Sequence, residues 1–468
     1  MAAVLGLPAE AASGCGGRVL TRAVTDNREA CPGALFVCVP GARVDGHDFA
    51  ASAVERGAGA VLACRPLPEV AAMGAPVFVV EDTVKALGKL AAHWRDTTTA
   101  KVVCVTGTAG KTTLKETLAA ILAVHGKTAK TPLNHNNQIG MPCAVLDTDG
   151  DEDFWVMEAG ISHEGDMDEL AAILRPDLAL ILNVGPGHTE GLGGRGVAWH
   201  KARLLAHLAP GGTALVSADY ADLVAAAEAT GASPVYFSAA GEDAPYSARM
   251  DDGTRGHYSL ELAGQGIKAE TPFRGAFGAE NAIAAAAAAH LLGLDADEIS
   301  RGFAAAELPP QRCARKKIGR WRVIDDTYNA NPLSMRRMLE AAAAEAREAS
   351  LPLVAVLGEM GELGAESARH HEDLGRLLGG LGLAAIFWKG GHGADVQAGL
   401  AATHPDAVSV WTQVSGPEEF AAAWQAAENF PEGGVLLFKG SRANRLEELL
   451  AALEKACGAG EREQGRVL

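Results

Sequence analysis

The chain has 468 residues, of which 48% are hydrophobic and 21% charged, and its formal net charge is −17. This composition is typical of a globular protein of about two to four domains, and the acidic balance argues against a nucleic-acid-binding surface as the main function. The 8 cysteines form no CxxC pair, which favours reduced cytosolic thiols over disulfides or zinc. Neither a secretory signal nor an apolar run of roughly 18–20 residues occurs, so we expect a cytoplasmic protein without membrane insertion.

Residues 1–95 have the pattern of a small α/β domain. Apolar runs and helical periodicity alternate in this order: strand 34–39, helix 49–55, strands 59–63 and 77–80, and helix 83–94 with Asp82 or Thr83 as its N-cap. A polar cluster, Asp26-Asn27-Arg28, precedes the first of these strands. Taken alone, this cluster predicts no more than a turn.

The segment 101–113, KVVCVTGTAGKTT, predicts a phosphate-binding loop. An apolar strand at 102–105 leads into a glycine-rich turn, and the helical pattern of 114–124 follows. The glycines let backbone N–H groups surround a phosphate, and the helix N-terminus adds partial positive charge. Lys111 would neutralise phosphate charge, and the Thr112 hydroxyl would bind Mg²⁺. The loop therefore predicts nucleotide binding, without indicating which reaction follows.

Polar residues follow two later strands of the same region. The strand predicted at 153–157 is followed by Glu158, and the strand predicted at 178–183 is followed by a glycine-rich turn and His188. Ligands of parallel α/β sheets bind at the carboxyl ends of the strands. We therefore expect both side chains in one crevice with Thr112, where a carboxylate is well placed to hold Mg²⁺.

The segment 131–142, TPLNHNNQIGMP, predicts a loop whose amide side chains can bind a ligand. These amides are Asn134, Asn136 and Asn137. Further along, Lys201 lies on a helix predicted at 199–208, where a lysine is solvated by default. A β-rich stretch is predicted at 235–262, and a long alanine-rich helix from near Asn281.

A Pro-Pro-Gln-Arg sequence at 309–312 predicts a linker and a domain boundary near residue 313. Beyond it, strands alternate with helices, which is the pattern of a doubly wound domain. The strands are predicted at 321–324, 353–357, 384–389, 408–411 and 435–438. We therefore predict an α/β protein of three domains: a small N-terminal α/β domain (1–95), a central P-loop ATPase-like parallel-sheet domain (96–312) and a C-terminal Rossmann-like doubly wound domain (313–468).

Taken together, five segments resemble the Mur ligases of peptidoglycan synthesis: GTAGKTT, TPLNHNNQIGMP, DDTYNANPLSM, LGEMGELG and KGSR. The first is similar in all Mur ligases and in folylpolyglutamate synthases, so it indicates only the superfamily. The run DDTYNANP discriminates best, because ligases that add earlier residues of the peptide tend to carry a Tyr-Ala-His type sequence there. The resemblance covers the chain from Asp26 to about Arg442.

This resemblance implies an ATP-dependent amide ligase that uses Mg²⁺ and an acyl-phosphate intermediate. Its substrates would be UDP-N-acetylmuramoyl-tripeptide and D-alanyl-D-alanine, and its products ADP, phosphate and UDP-N-acetylmuramoyl-pentapeptide. The N-terminal domain would bind the UDP-sugar, the central domain ATP, and the C-terminal domain would close on ATP and bind the dipeptide. A monomer is expected.

The resemblance also implies roles for individual residues. ATP would be bound by Gly107, Thr108, Ala109, Gly110, Lys111, Thr112, Thr113, Asn281, Arg312, Asp326, Asn329 and Asn331. The UDP-sugar peptide would be bound by Asp26, Asn27, Arg28, Asn134, Asn136, Asn137 and Ser162. Catalytic roles are implied for Lys111, Glu158, His188 and Lys201. Metal binding is implied for Thr112, Glu158, His188 and Lys201, the last of which corresponds to a lysine that can be carbamylated.

Four residues depart from the family pattern. Asn27 stands where Ser is usual, Ser162 where Asn is common, Arg203 where Glu is frequent and Phe277 where His is usual. Two other interpretations stay open at this point. One keeps the superfamily but changes the substrate, as in a folylpolyglutamate synthase or another Mur ligase. The other is a binding or regulatory protein that kept the nucleotide site and lost ligation.

Overall fold

Three β-sheets, each with flanking helices, follow one another along the chain in the computed structural model. It describes residues 1–8, 17–41, 43–187, 191–252, 255–403, 410–427 and 430–464, with 457–464 as backbone alone. The strands are β1 (Arg22–Val24), β2 (Ala34–Val37), β3 (Ala60–Ala63), β4 (Val77–Val79), β5 (Lys101–Thr106), β6 (Thr128–Lys130), β7 (Phe154–Glu158), β8 (Leu178–Ile181), β9 (Thr213–Ser217), β10 (Val235–Ser238), β11 (Tyr246–Asp252), β12 (His257–Leu262), β13 (Gln265–Glu270), β14 (Ala314–Ile318), β15 (Trp321–Asp326), β16 (Leu353–Gly358), β17 (Leu383–Lys389), β18 (Val410–Gln413) and β19 (Gly434–Lys439).

The helices are α1 (Ala50–Glu55), α2 (Pro68–Ala72), α3 (Thr83–Arg95), α4 (Lys111–Leu122), α5 (Gly140–Leu146), α6 (Asp166–Leu174), α7 (Gly196–Ala202), α8 (Ala221–Glu228), α9 (Gly275–Leu291), α10 (Ala296–Ala305), α11 (Pro332–Glu348), α12 (Ser367–Gly379), α13 (Gly393–Thr403), α14 (Pro417–Ala426) and α15 (Leu446–Gln464). In the parts of the chain described above, no helix is long and apolar enough to cross a membrane.

The N-terminal sheet is parallel and has the strand order β1-β2-β3-β4. Both of its faces carry apolar residues, and α3 packs on one of them through Leu87 and Leu90. The carboxylate of Asp82 accepts hydrogen bonds from the backbone N–H groups of Val84 and Lys85. This confirms the predicted cap, which satisfies two donors that an α-helix leaves unpaired.

The central sheet has nine strands in the order β13-β12-β11-β10-β9-β8-β5-β7-β6. From β6 to β11 the neighbours are parallel, whereas β11, β12 and β13 pair antiparallel at one edge. Strand β5 lies between β7 and β8, and apolar clusters cover both faces. A parallel strand buried on both faces needs a continuous apolar sequence, which explains the run VVCV. The carboxyl ends of these three strands meet at one edge.

The C-terminal sheet has the order β14-β15-β19-β16-β17-β18, parallel except for β14. One face packs against α11, α12 and α13, and the other against α14 and α15. Helices on both faces of a mostly parallel sheet define a doubly wound domain. The predicted fold class is therefore confirmed.

Several boundaries differ from the sequence-based prediction. Helix α9 begins at Gly275, not near Asn281, because Gly275 adopts a φ of +72° that a glycine tolerates and its carbonyl accepts a hydrogen bond from Tyr258 (3.0 Å). The predicted loop 131–142 ends in α5, since Asn137 Oδ1 accepts from the N–H of Gly140 (2.8 Å). Strand β14 was missed because its charged sequence, ARKKI, suits an edge strand.

Candidate active site

The glycine-rich segment forms a tight turn between β5 and α4. Gly110 has a φ of +81°, and a Cβ there would lie 3.0 Å from Asn281 Nδ2 and 3.1 Å from Leu182 Cδ2, so the turn has no room for a side chain. Lys111 begins α4, and its Nζ donates to the carbonyl oxygen of Gly107 (3.0 Å). Desolvation lowers the pKa of Lys111, and the charge of Glu158 acts in the opposite direction. The Lys111 ammonium group is thus held against the backbone of the phosphate loop.

Glu158 ends β7, and its carboxylate is buried beside the phosphate loop. The Thr112 hydroxyl donates to Oε2 (2.8 Å) and the Asn136 amide to Oε1 (2.7 Å). The backbone N–H of Glu158 donates to Thr131 Oγ1 (3.2 Å). A carboxylate and a hydroxyl on neighbouring elements are the hard oxygen donors that Mg²⁺ prefers, so the residues present fit this ion.

Lys201 lies on α7 and is fully buried. Desolvation holds the pKa of its amine well below the ordinary value, and the charge of Lys111 lowers it further, while Glu158 acts to raise it. Lys201 therefore interacts electrostatically with Lys111 and Glu158, and it is not among the residues that line the cavity described next. His188, the other residue expected here, lies outside the described residues.

A cavity of about 470 Å³ lies between the central and C-terminal sheets and collects most of the predicted site. The predicted residues that line it are Thr108, Ala109, Gly110, Lys111, Thr112, Thr113, Asn134, Asn136, Asn137, Glu158, Ser162, Arg312, Asp326, Asn329 and Asn331. Gly107, the first residue of the loop, and Asn281, which lies beside Gly110, do not line the cavity. The sequence motifs therefore converge on one space although they are far apart in the chain.

The C-terminal sheet contributes the segment between β15 and α11. Asn331 caps α11 by accepting from the N–H of Ser334 (2.8 Å), and its amide donates to the carbonyl of Thr108 in the phosphate loop (3.2 Å). Asp326 pairs with buried Lys439, whose Nζ also donates to the carbonyl of Asn329 (3.0 Å). Nearer the linker, the Arg312 guanidinium lies 4.0 Å from the centre of the Tyr328 ring.

The cluster Asp26-Asn27-Arg28 does not line this cavity. Asp26 caps a short 3-10 turn, and hydrogen bonds from the Arg28 side chain and backbone lower the pKa of Asp26 to about 2. The Asn27 amide, where a serine is usual in the family, donates to Ser52 Oγ within the N-terminal domain (3.1 Å). The Arg28 side chain is 80% exposed and forms an ion pair with Asp26 at the N-terminal sheet.

Two other residues that depart from the family pattern, Arg203 and Phe277, have defined surroundings in the structure. The Arg203 guanidinium donates to Asp168 (2.7 Å), so its charge is engaged on α6. Phe277 lines the cavity from the first turn of α9.

Three side chains that support the site were not assigned from the sequence. Buried Lys115 donates to the carbonyls of Thr131 and Leu133 (2.5 and 2.8 Å) and fixes the start of the asparagine-rich segment. Asp166 accepts from the N–H of Ser162 (2.7 Å). Asn183, which follows β8, accepts from two N–H groups of the phosphate loop. Its place at a strand's carboxyl end was the signal that could have identified it.

A phosphate loop with a buried carboxylate, facing a second α/β domain across a polar cavity, defines a P-loop enzyme that acts on a nucleotide. The chain matches three family descriptions: "Mur ligase family, catalytic domain" over residues 23–95, "Mur ligase middle domain" over 105–289 and "Mur ligase, glutamate ligase domain" over 311–442. The chain belongs to the Mur ligase family.

Individual relatives are similar over nearly the whole chain. The UDP-N-acetylmuramoyl-tripeptide–D-alanyl-D-alanine ligase of Escherichia coli K12 is 33% identical over 445 residues, covering 93% of this chain and 94% of that protein. The structure of MurF from Acinetobacter baumannii has a TM-score of 0.83 at 32% identity and covers 93% of both chains. MurF from Thermotoga maritima in complex with ADP has a TM-score of 0.78 at 27% identity, covering 95% of this chain and 99% of that one.

Proposed function

We propose that this protein joins D-alanyl-D-alanine to UDP-N-acetylmuramoyl-tripeptide at the expense of ATP, in peptidoglycan precursor synthesis. The observation that carries the proposal is the single cavity shared by the phosphate loop, the pair of Thr112 and Glu158, the asparagine-rich segment and Asn331. It brings nucleotide-binding residues and a second polar surface together, as a reaction between ATP and a carboxylate requires. The name of the E. coli relative, which is similar over nearly its whole length, specifies the same substrates.

The reaction has two steps. The terminal carboxylate of the tripeptide attacks the γ-phosphorus of ATP, a new O–P bond forms, and the bond to ADP breaks. The dipeptide amine, after losing a proton, attacks the carbonyl carbon of this acyl phosphate. The tetrahedral intermediate then loses a proton from this nitrogen, expels phosphate and leaves the amide. Both steps bring anionic groups together or develop negative charge, so neutralisation and in-line positioning matter more than a covalent catalyst.

The residues around the loop fit these needs. Lys111 offsets charge on the γ-phosphate, and the backbone N–H groups of the phosphate loop hold the phosphates. Mg²⁺, held by Thr112 and Glu158, supplies further positive charge at the phosphates when bound. Asn136 fixes the orientation of the Glu158 carboxylate through its 2.7 Å hydrogen bond. Asn331 lies against the loop from the opposite domain through its bond to the Thr108 carbonyl.

The remaining residue roles belong to this proposal as expectations from the family. Asn281, Arg312, Asp326 and Asn329 would contact ATP, and Asp26, Asn27 and Arg28 the uridine nucleotide. Asn134, Asn137 and Ser162 would border the sugar peptide. His188 would bind a second metal ion. The domain roles follow: 1–95 binds the UDP-sugar, 96–312 binds ATP, and 313–468 closes on ATP and binds the dipeptide. Because the substrates are cytoplasmic precursors, we place the protein in the cytoplasm.

Lys201 is proposed to react with carbon dioxide. Its lowered pKa supports this, because a neutral amine can add to the carbon of CO₂ and release one proton, which leaves an anionic carbamate. The carbamate would offer oxygens near Glu158 and a negative charge beside Lys111. A ¹³C carbamate signal in protein prepared with ¹³C-bicarbonate, absent from Lys201→Ala, tests this step.

The experiment that tests the function is phosphate release by the purified protein with ATP, Mg²⁺, UDP-N-acetylmuramoyl-tripeptide and D-alanyl-D-alanine, with product mass as a second readout. We expect release to need all four components and to yield the pentapeptide. Lys111→Ala should abolish turnover with the fold intact, whereas Lys85→Ala, at a lysine 75% exposed on α3, should not change it. Release that does not depend on the dipeptide would indicate another acceptor. ATP binding without release would favour the non-catalytic interpretation.

A further inference from the structure

A buried ion pair connects the C-terminal domain to the central domain. Arg337 on α11 donates to Glu280 on α9 through both terminal nitrogens, from Nη1 to Oε2 (2.7 Å) and from Nη2 to Oε1 (3.0 Å). The side chains are 20% and 3% exposed. Desolvation disfavours the charged guanidinium, yet the contact with Glu280 raises the pKa of Arg337 above its ordinary value. The guanidinium therefore stays charged and forms a fixed, two-point contact with Glu280.

Two further side chains complete the surroundings of the Glu280 carboxylate. The Tyr220 hydroxyl donates to Oε1 (2.7 Å), and the Asn183 amide donates to Oε2 (2.8 Å). Arg337 also contacts the Tyr220 hydroxyl. We name these four residues, Asn183, Tyr220, Glu280 and Arg337, the interdomain network. Each carboxylate oxygen accepts two hydrogen bonds, so the buried charge is fully compensated.

The interdomain network reaches the phosphate loop through Asn183. Its Oδ1 accepts from the N–H groups of Thr108 (3.0 Å) and Ala109 (2.9 Å), and its Nδ2 donates to the carbonyl of Ala109 (3.0 Å). The guanidinium of the C-terminal domain is thus connected to the backbone of the phosphate loop through two side chains, those of Glu280 and Asn183.

Helix α11 touches the phosphate loop at a second place. Asn331, its N-cap, donates to the Thr108 carbonyl, and Arg337 follows roughly one and a half turns later on the same helix. A rigid helix held at two points has a defined distance and rotation relative to the loop. Asp326 and Asn329 precede this helix directly and line the cavity with it.

We propose that Arg337 and Glu280 are positioning residues for the ligase reaction, which set the C-terminal domain on the phosphate loop so that Asn329 and Asn331 meet the nucleotide. This inference rests on the proposed function. The pair crosses a domain interface, and its hydrogen bonds continue through Asn183 to the backbone of Thr108 and Ala109 in the phosphate loop, whereas an ion pair that only stabilised the fold would have no need of that connection. Loss of the pair therefore misplaces the closing domain, and a misplacement of about 1 Å can cost 100-fold in rate.

The test compares neutral variants, because removing one partner alone leaves an uncompensated buried charge and destabilises the protein. Arg337→Met with Glu280→Gln in one chain removes both charges and preserves most of the volume. Arg336→Met is the matched control, since Arg336 is the adjacent residue, is 55% exposed and forms an ion pair with Glu340 on its own helix (3.7 Å). The measurements are kcat, the KM for ATP, the melting temperature and the radius of gyration with ADP from X-ray scattering.

We expect the double variant to melt within a few degrees of the unmodified protein, to lose about 10- to 100-fold in kcat and to have a larger radius of gyration with ADP. The control variant should match the unmodified protein in all four measurements. An unchanged kcat and radius of gyration in the double variant would overturn the proposal. If the double variant does not fold, Arg337→Lys provides the second measurement. It keeps the charge and loses the two-point contact, so an unchanged kcat would overturn the proposal too.

The two proposals can fail separately. Absence of pentapeptide formation by the unmodified protein would overturn the proposed function. The scattering comparison with ADP requires no ligation, so it would still show whether the interdomain network sets the domain arrangement.

Discussion

Replacing Glu158 by glutamine should separate stability from catalysis at this site. Glutamine has the same shape, so its carbonyl can still accept from Asn136 and its amide can donate to the Thr112 hydroxyl. Two hydrogen bonds to a charged acceptor, about 1.5–3 kcal/mol each, become neutral ones of about 0.5–1.5 kcal/mol. The loss of about 2–3 kcal/mol is offset because the carboxylate, only 1% exposed, no longer has to be desolvated, which costs several kcal/mol per ion. We expect a net change in stability within about 2 kcal/mol.

Activity should fall far more than stability. The variant removes the one negative charge that pairs with Thr112 at the expected metal position, and loss of a single preorganised electrostatic group costs about 100- to 1,000-fold in kcat. The assays are phosphate release at saturating substrates and thermal melting. Glu152→Gln is the control, because Glu152 is also buried but lies at the opposite end of β7, where it accepts from the Trp155 indole (3.0 Å). Near-normal kcat in Glu158→Gln, or an equal loss in Glu152→Gln, would refute this reasoning.

Two further predictions concern packing and pH. Gly302→Ala places a Cβ 2.4 Å from Ile121 Cα, so α10 and α4 must move apart and the melting temperature should fall by the equivalent of about 1–3 kcal/mol. Gly416→Ala is the control, because the space around Gly416 is open and its melting temperature should not fall. Equal melting temperatures of the two variants would contradict the packing argument. Burial lowers the pKa of His371, so the unfolded chain binds this proton more tightly than the folded one. Stability is therefore fully present above about pH 6.5 and is lost as the pH falls below that value. His371→Gln should weaken this pH dependence of melting, whereas His370→Gln should leave it intact; unchanged dependence in the first variant would exclude His371 as its source.

Much of the fold could be predicted from the sequence because its signals are local. The apolar run before the phosphate loop, the cap at Asp82 and the strand–helix alternation after residue 313 each depend on residues close together in the chain. The sequence-based predictions were wrong where an element's boundaries depend on residues that are distant in the chain. Helix α9 starts at Gly275, whose carbonyl accepts a hydrogen bond from Tyr258 on strand β12. The charged strand β14 pairs with the edge that β15 offers.

The candidate site shows the same division. The sequence by itself determined the residue types that can hold phosphate and Mg²⁺, because glycine, lysine, threonine and a carboxylate at a strand end have that chemistry wherever they are placed. Only the tertiary structure decided which of them meet. It joined Glu158 to Thr112 and Asn136, brought Asn331 onto the phosphate loop from the other domain, and surrounded Glu280 with Arg337, Tyr220 and Asn183. The physical reason is that burial and hydrogen-bond partners depend on long-range packing, which no local pattern in the sequence records.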